Sequence, residues 1–209
     1  MKSRFILALL LVTSVPEAFA SDQGFFYTAL DVGQSKVSGF CNILPPTVPC
    51  NDTGRAVQLG VGYQVSETWG AELAYAHLAS IVAEGTTQIT GVTGTPITVP
   101  YTALVRIRGP LLSGVATIPL GEGWSLTPRI GTLRLANMNV LVETSNSTGG
   151  YSHIGYTGLG LYWGIGVQYD FTDTYAIRAQ YQDFGTVGNT ATGKFAVQTL
   201  TLGLVYYFY

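Results

Sequence analysis

Apolar residues recur at every second position through most of the chain. In "RAVQLGVGYQV", Val57, Leu59, Val61, Tyr63 and Val65 share one face, and Ala56, Gln58, Gly60, Gly62 and Gln64 share the other. In "YTGLGLYWGIGVQYDF", Leu159, Leu161, Trp163, Ile165, Val167 and Tyr169 alternate with Gly158, Gly160, Tyr162, Gly164, Gly166 and Gln168. Period two is the signature of a strand with two different environments. The second face is mostly glycine with isolated polar groups. That is a poor water-facing surface but a good lining for a crowded tube.

Eight such segments are predicted, near 24–35, 54–66, 69–79, 103–119, 124–136, 156–170, 175–185 and 195–209. Their connections alternate in length. Ser66-Glu67-Thr68, "LGEG" and Phe171 to Thr174 are short, whereas 36–53, 80–102, 137–155 and 186–194 are long. An even strand count with short turns at one end and long loops at the other predicts an all-β fold. The expected form is an eight-stranded antiparallel up-and-down transmembrane β-barrel with short periplasmic turns and long external loops. A soluble eight-stranded barrel has no such one-ended bias. Trp69, Trp124 and Tyr175 each open a strand after a short turn, and Phe171 and Phe208 fall at the same end. This is the placement of an aromatic girdle at a membrane interface. The chain stops on "TLTLGLVYYFY", and a closed barrel explains why: the last strand pairs with the first, leaving no open edge in lipid.

Composition agrees with export to a membrane. Only 11% of residues are charged, against about 25% in ordinary soluble domains. Glycine (26) and tyrosine (13) are abundant, and a net charge of −2 argues against a nucleic-acid partner. Lys2 and Arg4, the apolar run Phe5 to Val12 and Ala18-Phe19-Ala20 read as a signal peptide (1–20) cleaved after Ala20, leaving a barrel domain over 21–209. Thr13, Ser14, Pro16 and Glu17 interrupt that run too early for a spanning helix. Cys41 and Cys50, the only cysteines, favour a disulfide in an exported chain over a metal site or redox pair, with two free thiols as the alternative.

From Phe25 to Tyr209 the chain resembles the OmpA-like transmembrane domain of bacterial outer-membrane proteins. The resemblance is carried by "GFFYTALDVGQSK", "GYQVSETWGAELAY", "IPLGEGWSLTPRIG", "YAIRAQYQDFG" and "TLGLVYYF". It implies residence in the bacterial outer membrane and a terminal signal for the barrel-assembly machinery at Leu204, Tyr206 and Phe208, with Tyr209 one residue extra. The periplasmic peptidoglycan-binding domain that often follows the family's barrel is expected to be absent.

Inside the tube, Glu72 lies three residues after Trp69, and Arg178 three after Tyr175. Strands three and seven stand opposite in a ring of eight, so equal offsets predict that these two side chains face each other across the lumen. The resemblance implies the same pairing, places Arg129 at a basic interior position and reads a second interior charge pair as Val115 and Gln168. Glu72, Arg129, Arg178, Gln58, Gln168 and Tyr162 are therefore expected to fill the lumen as a plug rather than a gate.

Enzyme chemistry has little support. His77 (with Ser80 nearby) and His153 (after Ser152) show no hydrolase spacing, and a catalytic site, cofactor or metal is not expected. Asn146-Ser147-Thr148 fits a glycosylation sequon that a bacterial context leaves without meaning. The β-branched runs in 80–102 and 137–155 suggest hairpins rising above the membrane. The predicted role is structural or surface-interacting, in a monomer contacting outer-membrane lipids and lipopolysaccharide. An external ligand would meet loops 36–53, 80–102 and 137–155. A small-solute pore is the alternative, and a rim-located lipid hydrolase a weaker one.

Overall fold

The computed structural model describes residues 24–90, 96–144, 150–189 and 193–208. The signal-peptide segment, Tyr209 and the Asn146 sequon lie outside the described residues. Among the described residues ten strands form one antiparallel sheet: β1 (Phe25–Ser38), β2 (Thr53–Gln64), β3 (Trp69–Thr90), β4 (Pro96–Ala116), β5 (Ile118–Gly121), β6 (Trp124–Leu126), β7 (Arg129–Thr144), β8 (Gly150–Asp170), β9 (Tyr175–Asn189) and β10 (Gly193–Phe208). The pairings β1–β2–β3–β4–β7–β8–β9–β10–β1 close on themselves, giving an eight-strand ring. β10 closes against β1 from Phe26 opposite Phe208 to Ser38 opposite Ala196. Every backbone edge of the ring is thereby paired, as a lipid environment demands.

β5 and β6 continue the wall below β4 and β7 as a short hairpin. The breaks between them have a local cause. Pro128 lacks an N–H, so its rung with Ala116 is one-sided: Ala116 donates to the Pro128 carbonyl, and nothing returns. Thr117 turns its N–H instead to the Thr68 carbonyl. The hairpin reverses through Glu122 (φ 52°) and Gly123 (φ 80°), two left-handed residues whose twist suits a two-residue connection.

The other two short turns share one construction. In "SETW" the Ser66 hydroxyl accepts from the Trp69 N–H at 3.2 Å, and in "TDTY" the Thr172 hydroxyl accepts from the Tyr175 N–H at 2.9 Å. Equivalent turns start β3 and β9 at equivalent heights. The same offset then sets Glu72 and Arg178 at one depth.

Residues predicted as the loops 80–102 and 137–155 are largely strand. β3 and β4 remain paired up to Thr90 opposite Pro96, and β7 and β8 up to Thr144 opposite Gly150. Their β-branched content carries the hairpins well beyond the predicted ends. The segment after β1 is compact, with Cys41 and Cys50 joined in a disulfide. Phe40, Leu44 and Val48 of this segment are buried. In the chain-entropy model so small a loop contributes about 2–3 kcal/mol. Cys41→Ser/Cys50→Ser should therefore lower urea stability by no more than this, while limited proteolysis should cut between β1 and β2 faster than in the parent.

Outward side chains form an apolar belt. Leu159, Leu161, Ile130 and Leu202 are 72, 74, 68 and 68% exposed. A continuous belt of this kind marks a lipid-facing wall. Below it Trp69, Trp124, Phe171 and Tyr175 are exposed at the short-turn end. Phe171 and Tyr175 stack at 6.2 Å, and Tyr206 bridges Tyr175 and Phe208 at 5.2 and 4.8 Å.

Candidate functional site

The glycines on the inner face make room for an ionic layer. Ring-ward of Gly62 lies the Tyr27 ring, where an added Cβ would sit 2.1 Å from it. Asp31 occupies the space over Gly203, and the Arg129 side chain passes over its cross-strand partner Gly164. Each polar group is thus seated on a neighbouring strand that offers no side chain. This is why one face of the alternating pattern is so rich in glycine.

Four charges meet there. Arg178 donates from Nη1 to Glu72 Oε2 at 2.7 Å and from Nη2 to Glu72 Oε1 at 3.3 Å. It also donates from Nε and Nη2 to Asp31 at 2.8 and 2.7 Å, and Arg129 Nη1 donates to Glu72 Oε1 at 3.0 Å. The Tyr27 hydroxyl donates to Glu72 Oε2 at 3.1 Å, and Gln180 Nε2 to Asp31 at 2.7 Å. All four charged residues are at most 4% exposed. Two carboxylates balance two guanidinium groups, so burial strands no net charge.

Above this layer β9 carries Gln180 and then Gln182. Gln58 donates to Gln182 at 2.5 Å, and Thr199 donates to the same oxygen at 3.3 Å. Higher still the interior is apolar. Val37, Leu78, Ile81, Ile107, Tyr162, Phe184, Phe195 and Val197 form one buried cluster with Phe40, Leu44 and Val48 of the β1–β2 connection. Tyr162 stacks on Phe184 at 5.0 Å, and Phe40 meets Phe195 edge-on at 6.2 Å. A bulge of β3 against β4 between His77 and Ala79 helps, because Leu78 and Ala79 are both buried. The predicted polar filling is therefore corrected: polar groups occupy the lower lumen, and hydrocarbon closes the upper one.

Below the ionic layer a vestibule of about 470 Å³ opens at the short-turn end, lined by Gln64, Val115, Thr127, Gln168, Asp170 and Tyr207 among others. Gln168 belongs here rather than to the mid-lumen. It donates to Tyr207 Oη at 2.6 Å and to Asp170 at 3.1 Å, while Tyr207 donates to Asp170 at 2.9 Å. Val115, read alongside Gln168 as the second interior position, lines the same space.

Of the two histidines, His77 lies outward on β3, opposite Val57 and Arg108. Among the described residues no carboxylate or serine hydrogen-bonds to it. The side chain of His153 lies outside the described residues.

Comparison with known proteins sets this barrel in a family. A family model described as "Outer membrane protein beta-barrel domain" matches residues 5–208. The chain belongs to that family. It is a protein of the bacterial outer membrane, and the resemblance to OmpA-like barrels is consistent with the match. Among solved structures, Neisserial surface protein A is 14% identical, with 88% of this chain and 97% of that one covered at a TM-score of 0.50. Ail, the attachment invasion locus protein of Yersinia pestis, solved in complex with the heparin analogue sucrose octasulfate, is 18% identical over 89% and 99% of the two chains, with a TM-score of 0.46. The N-terminal β-barrel domain of Pseudomonas aeruginosa OprF is 14% identical over 89% and 100%, with a TM-score of 0.45. A search of curated protein sequences returned no match. At these identities the likeness extends to the fold alone.

The sequence reading missed Asp31, Tyr27, Gln180 and Gln182. Asp31 had a signal: it is the sole charge between Phe25 and Ser35. A lone carboxylate in the middle of a spanning strand faces the lumen, because lipid would not accept it.

Proposed function

We propose that this outer-membrane barrel is a sealed wall element acting through its outer surface, in a structural or surface-interaction role, and not through its lumen. The observation that carries this reading is the apolar layer of Tyr162, Phe184, Phe195 and Phe40 stacked above the ionic layer. A conducting path needs continuous wetting, and here the vestibule ends at side chains paired with one another. On this reading the protein is a monomer, exported by a signal peptide removed after Ala20, and inserted by the barrel-assembly machinery. Glu72, Arg129, Arg178 and Gln58 then serve as an internal brace, and any external ligand meets the surface formed by residues 36–53, 80–102 and 137–155.

Planar-bilayer recording tests the seal. Reconstituted protein is expected to show no stable single-channel steps, whereas Phe184→Ala/Phe195→Ala should introduce leak currents. Large, regular steps from the parent protein would replace this reading with a small-solute pore.

A further inference from the structure

Basic residues are distributed along the barrel with a strong bias. Apart from Lys2, Arg4 and the two lumen arginines, the lysines and arginines are Lys36, Arg55, Arg106, Arg108, Arg134 and Lys194. Lys36, Arg55 and Lys194 lie near the long-hairpin ends of their strands, and Arg106, Arg108 and Arg134 lie on the long-hairpin side of the exposed apolar residues Leu112 and Ile130 of theirs. The short-turn end carries Glu67, Glu122, Asp170 and Asp173 and no lysine or arginine among the described residues.

Four of the six gather on adjacent strands. Arg55 projects from β2, two residues above Val57, which pairs with His77 on β3. His77 pairs with Arg108 on β4, and Arg106 follows two residues higher, opposite Ser80. Arg134 on β7 comes directly after Leu133, the partner of Leu111 on β4. All four arginines are exposed or half-exposed on the outer wall, immediately above apolar positions such as Leu59, Leu73, Leu112 and Ile130. None forms an ion pair among the described residues. Arg108 Nε is sheltered from solvent yet makes no hydrogen bond. On the opposite wall Asp183 of β9 accepts from Gln198 of β10 at 3.2 Å, and the basic residues there are the two lysines, Lys36 of β1 and Lys194 of β10.

We infer that the sector of Arg55, Arg106, Arg108 and Arg134 is a docking surface for the phosphorylated headgroup of an outer-leaflet glycolipid, the lipid A portion of lipopolysaccharide. The inference deepens the surface role proposed above and rests on the outer-membrane placement. Three features favour a lipid phosphate over a soluble polyanion. The arginines sit where the apolar belt ends, which is the level of headgroups. Acyl chains of the same molecule would cover the leucines and isoleucine directly beneath. The cluster is made of arginine, whose planar fork grips phosphate oxygens in pairs, while both lysines lie outside it.

Native mass spectrometry of protein refolded in a non-ionic detergent can test this. The probes are bisphosphorylated lipid A and its fully dephosphorylated form. The parent should prefer the phosphorylated lipid by at least about tenfold, since each basic side chain near an anionic surface contributes a severalfold gain. Arg55→Gln/Arg106→Gln/Arg108→Gln/Arg134→Gln should erase the preference, and Lys36→Gln/Lys194→Gln should keep it. Heat-modifiable migration on gels establishes that each variant is folded. Should the fourfold variant fail that check, Arg106→Gln/Arg108→Gln decides instead, with a loss of roughly severalfold or more. Equal binding of the two lipids by the parent, or a preference that survives the substitutions, would overturn the assignment. So would displacement of the lipid by soluble heparin at matched charge, which would make the sector a polysaccharide site. None of these outcomes depends on whether the lumen conducts, so a failed seal and a failed lipid site are separately visible.

Discussion

Arg178→Met is expected to lower the unfolding free energy in lipid by about 3–5 kcal/mol, because it removes one partner from a buried charge cluster and leaves the others in place. Arg178 is the hub: it holds Asp31 through Nε and Nη2 and Glu72 through Nη1 and Nη2. Without it, two carboxylates remain in a narrow, glycine-walled space with only Arg129, Tyr27 and Gln180 as donors. Glu72→Gln alone should cost less than Arg178→Met, because Arg178 keeps its bidentate contact with Asp31. The two changes together should recover part of the loss, leaving Asp31 rather than Glu72 as the poorly compensated charge. Urea unfolding of the parent and three variants gives a double-mutant cycle. A coupling below about 0.5 kcal/mol would mean that the 2.7 Å contact does not contribute as a pair.

The same cycle run with Asp31→Asn separates the two arms of the hub. If Arg178 braces the ring mainly through Glu72, the coupling with Asp31 will be the smaller one. The distances argue otherwise, since both contacts to Asp31 are short, at 2.8 and 2.7 Å, whereas the second contact to Glu72 is 3.3 Å and that carboxylate is shared with Arg129. A stronger coupling to Asp31 would tie β9 to β1, two strands away around the closure of the ring.

The legibility of this arrangement in the sequence was uneven for physical reasons. Strand existence and facing were readable because the inner and outer environments differ so sharply: every even residue from Ala56 to Gln64 is buried, and each odd neighbour is exposed or half-exposed. Glu72 and Arg178 could be set opposite each other because two turns of like chemistry start their strands at one height. Asp31 was overlooked because β1 has apolar residues on both faces, with Tyr27 and Ala29 inside and Phe26, Leu30 and Val32 outside. Period two there marks no preferred face. The apolar upper seal was invisible for a different reason. It is built where bulges break the alternation, at Leu78 and beyond Ala196, and where a disulfide-closed segment returns over the tube. Parity counted up from the short turns loses its meaning beyond those points. The tall hairpins were legible in part: the strand bounds stopped short in 80–102 and 137–155, but the β-branched runs there pointed to hairpins rising above the membrane, and β3–β4 and β7–β8 are paired through them.

Gly203→Ala should be nearly as damaging as Arg178→Met, at roughly 3–5 kcal/mol, although it adds one methyl group to a strand. Gly203 pairs with Leu30's neighbour Asp31 across the β1–β10 closure and with Arg178 on its other side. A Cβ there would sit 2.0 Å from Asp31 Oδ1. The carboxylate is the movable end of its side chain, so a simple clash would be cheap if it could swing away. It cannot swing freely, because Arg178 and Gln180 both hold it. The methyl therefore acts by unlatching Asp31, and the cost is that of a broken buried pair more than of overpacking. Gly160→Ala is the matched control on the inner face of β8: an added Cβ meets nothing within 4 Å, and stability should change little. The mechanism predicts a specific non-additivity as well. In an Asp31→Ala background the carboxylate is gone, and Gly203→Ala should then cost far less than in the parent. Urea midpoints for the four combinations measure this. Equal costs of Gly203→Ala in both backgrounds would place its effect in the backbone of the β1–β10 seam and remove Asp31 from the explanation.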